Sequence, residues 1–330
     1  MALVKATPEQ EALLRATASD NPAEAAVAQQ ALAAALQEPL RQGIFDGDNV
    51  SWIFSRQVLA AGAQANYQLD FIRPGEEDLN FTAFVMPKQG KIPERHVEGD
   101  ELWVPTYRVS NSIDWSLTYA RDARWDIVGR AMEVLRLGFV RKNNEDGWHT
   151  VLAAADARGL VVTDGQADAG QFTKELISKM KTAMTRNAGG NGQAGRLTDL
   201  CLSMEAVEDI RAWDETEIDP VTRREILSSA GENLMTLYGV KLHPMTEFGV
   251  GQEYQLYLTN VLGRALTGTD VQHVVGLDMS SNDSFVAPVR QEVQVFPDPT
   301  LHRQMRAGFY AWGEWGWACL DNRRLVLGSY

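Results

Sequence analysis

From residue 120 to about 157 the apolar positions recur at three- and four-residue steps: Ala120, Ala123, Ile127, Ala131, Val134 and Gly138, then Trp148, Leu152 and Ala155. That period is one face of an α-helix, and at about 1.5 Å per residue it predicts a rod about 50 Å long or more. The competing reading is two helices broken at "NNEDG", where Gly147 costs roughly 1 kcal/mol relative to alanine. The stripe resumes in phase beyond the break, which favours one helix.

Ahead of the rod the period changes to two. In "NYQLDFIR", Tyr67, Leu69 and Phe71 alternate with Gln68 and Asp70. "NFTAFVMP" follows after the acidic Pro-Gly turn "PGEEDL", and a polar stretch leads to a third strand, "ELWVPTYRVSNSIDWSL". A two-stranded ribbon of this kind has too little apolar face to offset its ordering entropy alone. Residues 1–42 are rich in alanine and glutamine, and "NPAEAAVAQQALAAALQEPL" reads as a helix that starts at Asn-Pro and stops at Pro39. Its faces are mostly alanine, so it needs another surface to lean on.

After the rod, "RGLVVTDGQADAG" reads as a loop, and "QFTKELISKMKTAMTRNA" as an amphipathic helix with Phe172, Leu176, Met180 and Met184 on one face. "GGNGQAG" breaks the chain. "RLTDLCLS" reads as a buried strand, "MEAVEDIRAW" as a short helix, and "DPVTRREILSSAG" as another, capped by Asp219 with Pro220 in its first turn. The segments "LYGVKLHPM", "EYQLYLTN", "VQHVVGLDM" and "APVRQEVQVF" read as strands, so residues 166–289 form a mixed α/β unit. Near the end, Phe309, Tyr310, Trp312, Trp315 and Trp317 fall within nine residues. This cluster reads as packing, with Trp315, Trp317 and Cys319 on one strand face and "LDNRRLVLG" as a turn and return strand.

Composition narrows the class. At 330 residues and 45% hydrophobic content the chain exceeds one ordinary core, so two or three packed units are expected. A formal charge of −13 argues against a surface that grips nucleic acid by neutralising phosphates. Cys201 and Cys319 lie far apart without metal-ligand spacing, which fits a reducing cytosol. The start lacks the apolar core of a secretion signal, and no run reaches the roughly 18 apolar residues of a membrane span, so a soluble chain is expected.

The search for chemistry returns nothing. His96, His149, His243, His273 and His302 stand singly, without HxxxH or HExxH spacing. "AGGNGQAGR", residues 188–196, runs from helix to strand and lacks the lysine and hydroxyl of a phosphate loop. The oxygen-rich "LDMSSNDSF" and "FDGDN" lack calcium-loop spacing and read as turns. No catalytic residue, metal ligand or cofactor-binding residue is identified.

What remains is an order of parts: helical arm, long β-ribbon, rod, α/β middle and returning strands. With "GDELWVPTYRVSNSIDWSLTYARDARWDIVGRAM", "QFTKELISKMKTAM" followed by "RLTDLCLSMEAVEDIRAW", and "VRQEVQVFPDPTLHRQMRAGFYAWGEWGWACLDNRRLVLGSY", this order resembles the major capsid proteins of tailed bacteriophages. The resemblance implies an α+β chain with the Hong Kong 97-type fold: an N-terminal arm at 1–55 and an extended β-hairpin loop at 56–112. A peripheral domain follows, with the spine helix at 113–165 and return strands at 290–330, around an axial domain at 166–289. It implies no enzymatic activity and no cofactor. It implies self-assembly into the hexamers and pentamers of an icosahedral shell, in the virion, after assembly in the host cytoplasm.

In such a shell the ribbon and the arm find their missing contacts on neighbouring copies, and packaged double-stranded DNA slides past an acidic wall without specific binding. Scaffold, portal and decoration proteins are the partners implied, with no membrane. The inter-subunit contacts assigned on this basis are the ribbon tip from Arg73 to Asn80, which includes Glu76, Glu77 and Asp78, together with Lys88, Lys91 and Arg95. An encapsulin-like nanocompartment shell, and a soluble α/β enzyme using the 188–196 loop, are the alternatives.

Overall fold

The computed structural model describes residues 8–69, 101–122, 124–164, 170–186, 195–213, 235–266, 268, 270–281 and 283–330. In chain order, α1 (Pro8–Ala16) and α2 (Pro22–Asp46) lead to β1 (Ser55–Val58), β2 (Asn66–Gln68), β3 (Glu101–Trp103) and β4 (Tyr107–Ser116). Then come α3 (Leu117–Arg121), α4 (Trp125–Arg158), β5 (Val161–Thr163), α5 (Lys174–Arg186), β6 (Asp199–Ser203), α6 (Met204–Ala212), β7 (Met235–Leu237) and β8 (Val240–Met245). The chain finishes with α7 (Glu253–Leu256), a π-turn (Tyr257–Val261), β9 (His273–Leu277), β10 (Phe285–Pro297), β11 (Arg306–Trp315), β12 (Ala318–Cys319) and β13 (Leu325–Ser329).

Two compact units divide this chain. The first comprises residues 1–65, 103–147 and 286–317. Its sheet runs β1-β10-β11-β4, with β1 parallel to β10 and the β10-β11-β4 ladders antiparallel. Alternation along β11 and β4 sends Ala307, Phe309, Ala311, Trp315, Ile113 and Trp115 to one face, where they meet Val128, Met132, Leu135 and Phe139 of α4. The Trp115 and Phe309 rings lie 5.3 Å apart in this core.

The N-terminal helices belong to the same core. Asn21 caps α2 by accepting the Ala23 N–H at 3.1 Å, as the Asn-Pro start predicts. The resemblance implied an arm seeking contacts on neighbouring copies. Within the chain itself Leu14, Leu32, Ala33, Leu36, Leu40 and Ile44 are buried in their own unit. Pro39 does not stop the helix: it lies inside α2. Pro39 and Ala35, whose carbonyl loses its i+4 donor, are both on the exposed side, so water can serve the freed oxygen while the opposite face stays packed.

The rod is one helix, and "NNEDG" does not break it. Gly147 is buried there, and a Cβ on it would stand 2.7 Å from Val50 Cγ2, so glycine lets the 47–54 turn lie directly on the helix. Asn144 Oδ1 accepts the Asn49 N–H at 3.0 Å in the same place. The helix starts at Trp125, with Ala120 in the separate α3, and its first half is turned by one position from the predicted stripe. Val128, Met132, Leu135 and Phe139 are buried, whereas Val134 is 56% exposed.

The second unit comprises residues 66–102, 148–285 and 318–330. Its six-stranded sheet has the order β5-β13-β9-β6-β8-β7. As predicted, Leu176, Met180 and Met184 of α5 are buried as one face together with Phe172 just before the helix, and β6 is buried at every position. Gly328 permits the close approach of α5 to β13: a Cβ there would lie 2.7 Å from Met180 Sδ. Ser203 caps α6 by accepting the Ala206 N–H at 3.2 Å, and also lies 3.1 Å from the buried Tyr330 hydroxyl. Tyr238 and Gly239, both with positive φ, make the tight turn between β7 and β8.

Several sequence readings change here. "RGLVVTDGQADAG" contains a strand, β5, parallel to β13. "EYQLYLTN" is helical, because Tyr254 and Leu258, one turn apart, are both buried. "LDNRRLVLG" does not close a hairpin on the aromatic strand: β13 pairs antiparallel with β9 and parallel with β5. The aromatic strand itself ends at Trp315, where a Cβ on Gly316 would stand 2.5 Å from the Pro105 carbonyl oxygen, so Trp315, Trp317 and Cys319 do not share one strand face. The third predicted strand is split into β3 and β4 at Val104-Pro105-Thr106. The ribbon beyond Leu69, the helix "DPVTRREILSSAG" and most of "GGNGQAG" lie outside the described residues.

Candidate functional site

Among the described residues, several side chains of the types that carry chemistry have structural partners. Burial pushes the Cys201 thiol well up and the Cys319 thiol up to about 12, so neither supplies a thiolate near neutrality. His273 is sealed in the second unit's core, where burial and the charge of Arg264 drive its imidazole down to about 4, and its Nδ1 lies 3.0 Å from Gln255 Nε2. His243 Nε2 stands 2.7 Å from Asp199 Oδ1. Burial pushes Asp199 up, but hydrogen bonds from His243 and Thr198 outweigh it and hold the carboxyl below its ordinary range. His149 stacks on Tyr257, ring centroids 3.8 Å apart.

The oxygen-rich segments are turns, as the sequence predicts. Asp278 accepts the Arg196 N–H at 3.1 Å and the Ser280 N–H at 3.0 Å, and Asp48 accepts the Val50 N–H at 2.8 Å. At the end of α4, Arg158 donates to the carbonyls of Arg323 and Leu325. Burial lowers its guanidinium to about 10, leaving it charged. No helix among the described residues is long and apolar enough to cross a membrane.

Surfaces carry more information. The first unit's sheet is aromatic on both faces. Opposite its core face, Phe296 stacks on Tyr310 at 5.5 Å and on Trp312 at 6.2 Å, and the Arg108 guanidinium sits 5.4 Å over the Trp312 ring. Glu314, beside this ladder, accepts from Thr106 at 2.9 Å, Arg290 at 3.2 Å and Arg108 at 3.3 Å. The Thr106 bond foremost, against the effect of burial, holds its carboxyl below the ordinary range. Arg306 and Asp114 make a cross-strand ion pair at 2.9 Å. This face is therefore tied together by charge and stacking.

The ladder was readable in "RAGFYAWGEW", since Tyr310 and Trp312 have the opposite parity to Phe309 and Trp315. The rings that read as one packing cluster in sequence divide between the two faces of the sheet. β4 is an edge strand, and beside it an open groove runs between Tyr107–Asn111 and the α4 residues Gly138, Phe139 and Lys142. Tyr107 closes one end by donating to Asp146 at 2.6 Å, and burial foremost, with Asp146, raises its phenol above the ordinary value. The contact residues assigned from sequence, Arg73, Glu76, Glu77, Asp78, Lys88, Lys91 and Arg95, all lie outside the described residues.

No protein-family model and no curated protein sequence matches the chain. Solved structures do. The capsid of an empty GTA particle matches with 14% identity over 86% of this chain and 90% of its own, at a TM-score of 0.53. The capsid of cyanophage Pam1 matches with 12% identity over 84% of this chain and 88% of its own, at a TM-score of 0.54. The SrpI encapsulin of Synechococcus elongatus PCC 7942 matches with 12% identity over 84% of this chain and 85% of its own, at a TM-score of 0.50.

The two compact units and the long helix belong to one α+β fold. That fold is the Hong Kong 97-type fold of phage capsid proteins.

Proposed function

We propose that the chain is a major capsid protein: a non-enzymatic subunit that assembles into hexamers and pentamers and closes an icosahedral head around double-stranded DNA. The observation that carries this reading is the likeness in fold to phage capsid structures along more than four fifths of the chain. In this reading the protein is a virion component assembled in the host cytoplasm, with scaffold, portal and decoration proteins as partners. We take residues 113–165 and 290–330 as the peripheral domain and 166–289 as the axial domain. The ribbon within 56–112 is the extended loop, and its tip from Arg73 to Asn80, with Lys88, Lys91 and Arg95, reaches a neighbouring copy.

Charge fits this use. A chain of formal charge −13 gives DNA a wall it can move along, while local pairs of opposite sign set the register between copies. The encapsulin likeness favours one second reading, a nanocompartment shell around protein cargo. Electron microscopy of the concentrated protein tests the assignment: closed particles with pentameric and hexameric units are the expected result. Protein that stays a compact monomer under every condition sinks both shell readings, and the contents of particles from the native source, DNA or protein, decide between them. Deleting residues 74–80 should leave a folded subunit that assembles poorly, and normal heads from that deletion would remove the ribbon tip from the contact.

A further inference from the structure

A cavity of about 20 Å³ lies inside the first unit, among α2, the turn that follows it, α4 and the β10–β11 sheet. Beside aliphatic groups, its wall carries Arg41, Asp48, Ser51, Arg56, Asn143, Trp315 and Trp317. Two of these are almost fully buried, Trp315 at 4% exposure and Asn143 at 7%. Trp315 Nε1, Trp317 Nε1 and Asn143 Oδ1 are buried without a hydrogen-bond partner in the protein. They come from neighbouring elements: Phe139, one turn before Asn143 on α4, has its ring 6.4 Å from that of Trp315.

A buried polar atom left bare costs about 1–3 kcal/mol, so three on residues lining one small cavity point to a ligand. Their kinds identify it. The two indole N–H groups need acceptors and the amide oxygen needs a donor. A small anion would satisfy the indoles and repel the amide oxygen, and a cation would do the reverse. The fixed charges do not favour either ion, because Arg41 pairs with Glu292, and Arg56 is attracted by Glu292 and Asp48. Water accepts and donates at once, and the cavity exceeds the roughly 10–15 Å³ that one water requires.

We infer that this cavity is a built water-binding site, in which one ordered water accepts from Trp315 Nε1 and donates to Asn143 Oδ1. Asp48 in the same wall can take its second hydrogen. The water then serves as a cross-brace between α4 and the end of β11, and it does so whether or not the chain forms a shell.

An experimental map of the full-length protein, detailed enough to show ordered solvent, should place a water within about 3.2 Å of both atoms. Such a map with other buried waters resolved and nothing here overturns the inference, as does a direct bond between Trp315 and Asn143. A urea-unfolding cycle of Trp315→Phe, Asn143→Leu and the double variant should show a coupling of about threefold or more in the folding equilibrium constant. Strictly additive effects overturn the cross-brace, and if a variant fails to fold the map decides alone.

Discussion

A histidine sealed in a core reports on folding through the proton it refuses. Burial, reinforced by Arg264, drives His273 down to about 4 in the folded chain, against an ordinary value of 6.5. Between those values the unfolded chain binds a proton that the folded chain does not. The associated stability is therefore complete above about pH 6.5 and falls as the pH drops towards 4, by at most about 3 kcal/mol. The urea midpoint should fall across that window in the native sequence, and His273→Gln should flatten the fall. Asp199 and Glu314, whose carboxyls are depressed, lose their contributions at lower pH, below the ordinary carboxylate range, so the two effects separate. An unchanged slope in the variant would mean that His273 does not set the window.

The rod shows how an element's own tendency can be outvoted by its neighbour. Gly147→Ala raises helix propensity by about 1 kcal/mol, yet its Cβ would sit 2.7 Å from Val50 Cγ2, and overpacking of that kind costs about 1–3 kcal/mol. The expected result is net destabilisation, reversed when Val50→Ala is added, and thermal unfolding of the three variants measures it. The same logic divides what was legible in the sequence from what was not. α5 and β6 were legible because each carries a complete period: Phe172, Leu176, Met180 and Met184 allow only one buried face. In the first half of α4, apolar residues at Ile127, Val128, Ala131, Met132, Val134 and Leu135 offer two overlapping stripes, and the sheet chose the one with Val128, Met132 and Leu135. β5 and β13 are too short to show a period, and their pairing depends on partners distant in sequence. The aromatic face was written in residue parity, whereas the proposed inter-subunit contacts would depend on geometry between copies, which one chain's pattern does not encode.

For the whole molecule, the decisive question is which parts the subunit keeps for itself. Leu14, Leu32, Leu36, Leu40 and Ile44 of the N-terminal helices are buried in the first unit's own core. At about 1.5–3 kcal/mol for each large aliphatic side chain their burial contributes about 10 kcal/mol, comparable to the whole stability of a typical domain. Deleting residues 1–46 should therefore abolish cooperative unfolding, as followed by circular dichroism, and yield aggregate in sedimentation. The shorter deletion of 74–80 has the opposite expected signature, a folded subunit with an assembly defect. If the 1–46 deletion instead left a soluble chain with a sharp unfolding transition, the helices would be a dispensable arm after all. The cohesion of this subunit would then have to come from the sheet and the rod alone.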